Sequence, residues 1–296
     1  MKITNKFNVP KAVVRAIEND GYSYTGYISV TQLISPPRLR WLTKRHWDEL
    51  EEDCVDAVWK LLGSAVHVIL ERAEDKHAAD FQEIRLEAET DGKIWSGQGD
   101  IWESPNILSD YKVTSAWAAV NDVKPEWEQQ LNMLAYLYRK QNFEVKKLQI
   151  VAIFRDWSRI RAKTSQDYPN SPIKVIPIKL WKTDKIEKFI KERMQAHTET
   201  ENTPDDELPK CTEKERWERP KQYAIMKNNN KRATKLCATE EEALEIIKTF
   251  LSKGDSNSYD IDVREGERIR CEHYCPVNKF CNQYQNYIKE KEKKIN

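Results

Sequence analysis

Asp110 and Lys112 stand two residues apart in the run ILSDYKVT, and in a strand residues two apart project to the same side. Asp100 lies ten residues upstream of Asp110, a separation that strand, short turn and neighbouring strand can close. Two carboxylates at close range repel unless a cation neutralises them, and hard oxygen donors select magnesium or manganese. Such an ion polarises a phosphodiester oxygen and lowers the pKa of a bound water. Lys112 would orient that water or offset the charge that develops on the phosphate. In a chain that is 33% charged, Asp-x-Lys alone also fits an ordinary surface strand. The weight comes from the apolar Ile107-Leu108 pair before Asp110 and from the second aspartate at hairpin range.

His67 supplies the next candidate ligand. Gly63, His67 and Glu71 fall four apart on one helix face; Gly63 would let another backbone approach, and the imidazole could join the metal shell. A solvated His–Glu pair has the same spacing. Glu71 is a candidate outer partner, and Glu87 or Glu89 a candidate extra oxygen ligand. Gln130 lies at the edge of an apolar helix face, where a partly buried amide needs partners, so it is assigned to supporting the site or capping core polar groups.

The elements that must position these residues follow from pattern. A short strand is expected at Tyr27–Val30. A helix is expected from Asp53 to Ala73, with Val58, Leu62, Ala65 and Ile69 as its apolar stripe. Asp91-Gly92 predicts a hairpin between FQEIRLEAET and KIWSGQGDIWE. A third strand, Ile107–Thr114, leads to a helix starting near Pro125, on which Trp127, Leu131, Leu134 and Tyr138 share a face. Strands at Lys147–Phe154 and Ile173–Leu180 and a helix from Asp184 to His197 complete an α/β pattern. ENTPDDELPK reads as a linker, so the expected organisation is a nuclease domain over 1–200 and a C-terminal region over 201–296 that packs on it. The latter holds a hairpin around Asn228–Asn230, a helix with a Thr239/Glu242 capping box, a cysteine-bearing segment and a frayed lysine-rich tail.

With 296 residues and 39% hydrophobic content, the chain can bury a substantial core. Its 49 basic and 48 acidic residues nearly cancel, so any nucleic-acid surface must be local. No apolar run approaches the roughly 20 residues of a membrane span and no signal core opens the sequence, so a cytoplasmic protein with no membrane partner is expected. Six cysteines in such a compartment suggest metal chemistry more than a disulfide framework.

The order GSAVH (63–67), GD (99–100), DYK (110–112) and QLN (130–132) resembles the PD-(D/E)XK nucleases of the RecB type. It looks most like phage and prophage exonuclease-like proteins related to the CRISPR-associated RecB-type nucleases, over most of residues 28–282. The resemblance implies a restriction-endonuclease-like α/β core, a mixed central sheet flanked by helices, and DNA hydrolysis with Mg²⁺ or Mn²⁺. It makes His67, Asp100 and Asp110 metal ligands, with Asp100, Asp110 and Lys112 catalytic and Gln130 in support. Asp110 replaces the commoner glutamate. The tyrosine often found four residues after the glutamine is Leu134 here, and Tyr136 and Tyr138 point in other helical directions. End processing in phage replication or recombination is implied, in the host-cell cytoplasm, beside single-strand annealing or other recombination proteins. A catalytically inactive DNA-binding module of the same fold and a structure-specific endonuclease are the alternatives.

CEHYCPVNKFC places Cys271, Cys275 and Cys281 within eleven residues, a soft-ligand set that suits zinc or an iron–sulfur cluster. Nucleases of the resembled kind carry a four-cysteine [4Fe–4S] cluster, usually with a C-x2-C-x5-C triplet; the spacing here is C-x3-C-x5-C. Cys211 is the preferred fourth ligand; a Cys3His zinc site using His273, or no metal, remains open. A cluster would staple the C-terminal segment to the core. Cys237, in a strand-like run, is expected to be a small core residue. Candidate DNA contacts are Arg38 and Arg40 beside Trp41, and Arg155, Arg159, Arg161 and Lys163 in a segment between two strands.

Overall fold

A computed structural model describes residues 1–19, 27–73, 81–120, 123–228 and 230–295. They form two compact units, Met1–Leu208 and Pro209–Asn296.

The first unit is built around the hairpin that Asp91-Gly92 closes. Both turn residues have positive φ, 49° and 74°, the left-handed pair that a two-residue turn needs to match strand twist. Counting along the chain, the strands are β1 (Lys2–Thr4), β2 (Ile28–Ser29), β3 (Glu51–Asp53), β4 (Phe81–Thr90), β5 (Lys93–Glu103), β6 (Ile107–Thr114), β7 (Lys147–Phe154) and β8 (Ile173–Ile178). The helices are α1 (Lys11–Glu18), α2 (Val30–Ile34), α3 (Pro37–Arg45), α4 (Val58–Glu71), α5 (Pro125–Lys140), α6 (Arg159–Thr164) and α7 (Thr183–Glu199). The central sheet is mixed, in the order β2-β5-β6-β7-β8, with β4 antiparallel to β5. β6 and β7 run parallel, whereas β5–β6 and β7–β8 are antiparallel. The expected α/β architecture of a mixed sheet with flanking helices is thus what the chain adopts.

Helix α5 is the backbone of the core. Trp127, Leu131, Leu134 and Tyr138 are all buried, against Trp95, Leu108 and Ile150 of the sheet. Its close approach depends on two glycines of β5. A Cβ at Gly97 would stand 2.6 Å from Leu134, and one at Gly99 would stand 2.8 Å from the Tyr138 hydroxyl.

Four expectations change. The strand expected at Tyr27–Val30 shrinks to Ile28–Ser29, because Ser29 and Gln32 form a capping box that starts α2. The helix expected from Asp53 begins at Val58, and Asp53 belongs to β3. Its stripe is not a core face: α4 buries none of its residues, and Val58, Leu62 and Ile69 are exposed. Residues 201–208 are tied down rather than loose. Asp205 meets Arg45 at 2.6 Å and His46 at 2.8 Å, and the Leu208 carbonyl accepts from Arg38.

The second unit contains β9 (Glu218–Arg219), β10 (Gln222–Lys227), β11 (Lys235–Cys237), β12 (Tyr259–Arg264) and β13 (Glu267–Arg268), with helices α8 (Glu240–Ser252), α9 (Ile269–His273) and α10 (Asn282–Ile295). β10 pairs antiparallel with β11 and β12; residue 229 of the expected hairpin turn lies outside the described residues. Thr239 caps α8 by accepting from the Glu242 amide, while the Glu242 carboxylate accepts from Ala238 rather than from Thr239. Cys237 is buried in the small core with Ile225 and Ala243. The lysine-rich tail is helical, with Lys291 paired to Glu272 at 3.0 Å.

Candidate metal centre

Sheet register brings three acids into line. In the β4–β5 ladder Gln82 faces Ile101 and Ile84 faces Gly99, so Glu83 stands across from Asp100. In β5–β6 the pairing runs to Ile101 against Ser109, and just beyond it the Tyr111 amide, next to Asp110 in the chain, donates to the Asp100 carboxylate. The β4 ladder is interrupted at Glu83, whose φ is +49°, a conformation that few residues other than glycine adopt. His67 of α4 completes the group, with Nδ1 3.5 Å from Glu83 Oε1 and 3.6 Å from Asp100 Oδ1. His67, Glu83 and Asp100 each present a ligand atom within 4.8 Å of the others, a set able to hold a divalent metal ion.

Each of these groups is held by a second contact. Gln98 Nε2 donates to Glu83 at 2.5 Å, and Arg85 donates to Gln98 at 2.7 Å. The Tyr111 amide donates to Asp100 at 2.6 Å, and the Tyr111 ring meets the His67 imidazole edge-on at 6.2 Å. Burial and the charge of Asp110 push the Asp100 carboxyl up to about 7. The hydrogen bond to Glu83 raises His67, and Asp100 adds to the effect. Burial works against the Glu83 carboxylate, but His67 and Gln98 outweigh it and lower its pKa. A site crowded with acids in this way is short of positive charge, which a cation supplies.

Asp110 and Lys112 form the adjoining half. Asp110 is 1% exposed; its Oδ1 accepts from Gln130 Nε2 at 3.1 Å and its Oδ2 faces Lys112 Nζ at 2.5 Å. Burial disfavours the Lys112 ammonium, yet Asp110 and Asp100 outweigh it and raise its pKa, so the lysine is charged at neutral pH. Gln130 reaches this pair from α5. Tyr138, eight residues further on, packs its hydroxyl over Gly99, where it is buried and finds no hydrogen-bond partner among the described residues.

His67 and Asp100 meet with Glu83 as a possible ligand set, whereas Asp110 stands outside that set, bonded to Lys112 and Gln130. Glu83 replaces the two glutamates considered on the same strand. Glu87 and Glu89 pair with Ser96 and Ile94, four and six residues from Asp100, and both are exposed, as is Glu71. The hairpin turn itself carried the signal, since Glu83 is eight residues before Asp91 and Asp100 eight after Gly92. A Cβ at Gly63 would meet nothing within 4 Å among the described residues, so none of them supplies the expected backbone neighbour.

The candidate DNA contacts divide. Arg38 is 2% exposed and its guanidinium donates to the Leu208 and Asp205 carbonyls, which removes it from any accessible basic surface. Arg40 is half-buried, with its guanidinium 4.3 Å from the centroid of the Trp41 ring. Arg159, Arg161 and Lys163 are exposed on α6, a short helix capped by Ser158 between β7 and β8.

In the second unit the four candidate cysteines come together. Burial pushes Cys211 up to about 12, with Glu215 and then the thiols of Cys281, Cys271 and Cys275 adding to the shift. Burial likewise pushes Cys271 to about 11, with Cys275 and Cys281 contributing. Cys211 is clamped by Gln283, two residues past Cys281: its amide donates to Gln283 Oε1 at 2.8 Å and its carbonyl accepts from Gln283 Nε2 at 2.9 Å. His273, the alternative ligand, is exposed beside Tyr274. No three of these sulfurs lie within 4.8 Å of one another. Four thiolates on a single zinc ion, each at about 2.3 Å, would stand roughly 3.8 Å apart. Cys54 belongs to the first unit, where it is buried with Ile17 and Ala57.

Among the described residues, no helix is long and apolar enough to cross a membrane. No known family's sequence profile matches the chain, and no curated protein matches it. Among solved structures it is similar to SSO0001, with a TM-score of 0.44 and 18% identity over 65% of this chain and 86% of that one. It is also similar to a protein from Eubacterium rectale described as "Putative exonuclease", with a TM-score of 0.30 and 12% identity over 48% of this chain and 54% of that one. Neither likeness is close enough to carry a function, which rests on the site itself.

Proposed function

We propose that the chain is a divalent-metal-dependent DNA nuclease of the PD-(D/E)XK, RecB-like type, an exonuclease that processes DNA ends in phage replication or recombination. The observation that carries this reading is the joining of His67, Glu83 and Asp100 to a buried Asp110–Lys112 pair on adjacent strands. One nitrogen and two carboxylates suit Mg²⁺ or Mn²⁺, and the raised Asp100 carboxyl marks the charge such an ion would neutralise. Asp110 would join the shell by turning an oxygen from Lys112.

The bound ion would polarise the phosphodiester and lower the pKa of the attacking water. Lys112, charged and close to the carboxylates, orients that water and offsets the negative charge growing on the phosphate. Gln130 holds Asp110 in place for both. Water oxygen bonds to phosphorus, the bond from phosphorus to the leaving sugar oxygen breaks, and the water proton passes to solvent as the leaving oxygen takes one up. Linear and circular DNA incubated with magnesium or manganese test the proposal. The wild-type chain should degrade linear DNA and Lys112→Ala should not. Failure to cut either form with either metal would overturn the nuclease, and cutting of circles would make it an endonuclease.

In the second unit we assign Cys211, Cys271, Cys275 and Cys281 to a [4Fe–4S] cluster. Four thiols within electrostatic reach of one another suit a soft-ligand metal site, and iron–sulfur is preferred on the family resemblance. Anaerobic purification with iron, sulfide and zinc analysis decides between the two. A folded protein without metal removes both.

A further inference from the structure

Gly63 sits in the middle of α4, where glycine is a poor helix former, and a Cβ there would meet nothing within 4 Å among the described residues. Neither a turn nor a tight contact accounts for it. What flanks the open space does. At about 100° per residue, Trp59, Gly63 and His67 share one side of α4. At one end His67 lies beside Glu83 and Asp100. At the other, eight residues and about 12 Å along the helix, Trp59 is 53% exposed with the Arg155 guanidinium 4.5 Å from its ring centroid. The Arg155 amide donates to the Thr114 carbonyl at 3.0 Å, two residues beyond Lys112 on β6. Lys124 is near enough to feel the charge of Arg155, which together with burial lowers its pKa. The stripe of Val58, Leu62, Ala65 and Ile69 turns about a third of a circle away and takes no part.

We propose, resting on the nuclease reading, that this side of α4 is the track of a DNA strand leading to the metal centre. The sugar–phosphate backbone passes over Gly63, a base stacks on Trp59, and Arg155 and Lys124 neutralise the phosphates. Alternating aromatic and basic groups are what an unpaired strand requires, since every base has a face to stack and every step a charge to balance. The 12 Å of helix covers at most three or four nucleotide steps at a rise of about 3.4 Å.

Because a Cβ at Gly63 meets nothing within 4 Å among the described residues, Gly63→Ala and Gly63→Leu should fold with a Tm no lower than the parent's. Binding of a fluorescein-labelled 20-nucleotide strand, measured by anisotropy in calcium with the full chain carrying Lys112→Ala, should weaken tenfold or more for Gly63→Leu. Trp59→Ala should weaken it similarly and Trp59→Phe should restore most of it. A folded Gly63→Leu chain that binds as tightly as the parent overturns the track while leaving the nuclease intact. Unchanged DNA affinity with weakened manganese binding also overturns it, by assigning Gly63 to the metal ligands. A parent that binds no DNA overturns the nuclease reading and the track together.

Discussion

Glu83 faces Asp100 across the β4–β5 ladder, and His67 reaches both, at 3.5 Å and 3.6 Å. The pair is produced by the two-residue turn at Asp91-Gly92, which leaves no freedom to slide the strands without moving every side chain to the other face. Glu83→Gln keeps the shape and the bond from Gln98 while removing one charge from the ligand set. Manganese affinity, measured by isothermal titration calorimetry, should fall by about 10- to 100-fold, and metal-dependent DNA cleavage with it. Glu87→Gln, on the same strand but opposite Ser96, should leave both unchanged. Equal effects of the two substitutions would remove Glu83 from the site.

Asp100 should also make the metal-free protein sensitive to pH. Its carboxyl is raised to about 7 by burial and by Asp110, against about 3.9 in an unfolded chain. Between about pH 4 and 7 the folded state holds the proton that the unfolded state has released, so stability falls as pH rises through that window. His67, raised chiefly by Glu83, adds a loss of the same sign as pH climbs through its own raised value. The Tm of the metal-free chain should therefore drop from pH 5 to pH 8, with a shallower slope in Asp100→Asn. Metal affinity should move oppositely and strengthen with pH, since the ion displaces the proton. Identical slopes in the two proteins would count against the assignment.

Lys112 and Asp110 should be coupled in stability as well as in catalysis. Asp110 is 1% exposed and Lys112 is its ionic partner. Lys112→Met should cost about 3 kcal/mol by leaving a buried carboxylate unpaired, and adding Asp110→Asn should recover part of that loss. Urea denaturation of the two single variants and the double variant measures the coupling; additive losses would show that the pair is not a unit. Gln130→Leu, which deprives Asp110 of its amide donor, should cost about 1–3 kcal/mol.

Gln283 offers a test of the cysteine assignment that leaves all four sulfurs in place. Both backbone polar groups of Cys211 are tied to its side chain. Gln283→Ala should lower iron per chain and make the cluster's visible absorption bleach faster in air, while Gln283→Asn should fail to rescue because its amide is one methylene short. Retention of full iron and an unchanged bleaching rate would show that Cys211 needs no such clamp, or is not a ligand.

Local rules reached the hairpin, the β6 strand and α5, because turn chemistry and helical spacing act within a few residues. Tyr138 and Trp127 read as core and are core. Glu83 was legible only by counting register outward from the turn, since nothing in its own neighbourhood distinguishes it from Glu87. Periodicity marked the Val58–Ile69 stripe but does not say what a stripe will meet, and in α4 it meets no core. Arg38 read as a surface cation beside tryptophans. Its burial depends on carbonyls some 170 residues away in sequence, a relationship no local pattern contains. The cysteines were legible as a set, and Gln283 was not, because an amide that clamps a distant backbone has no spacing signature.

The contacts of Asp205 and Leu208 determine where the gene can be cut. A fragment ending at residue 200 would keep Arg45, His46 and Arg38 but lose the Asp205 carboxylate and the Leu208 carbonyl that receive them. A fragment ending at Leu208 retains every one of these partners. Expressed side by side, the longer fragment should be recovered folded and the shorter in lower yield or aggregated, a difference decided by eight residues that look dispensable in sequence.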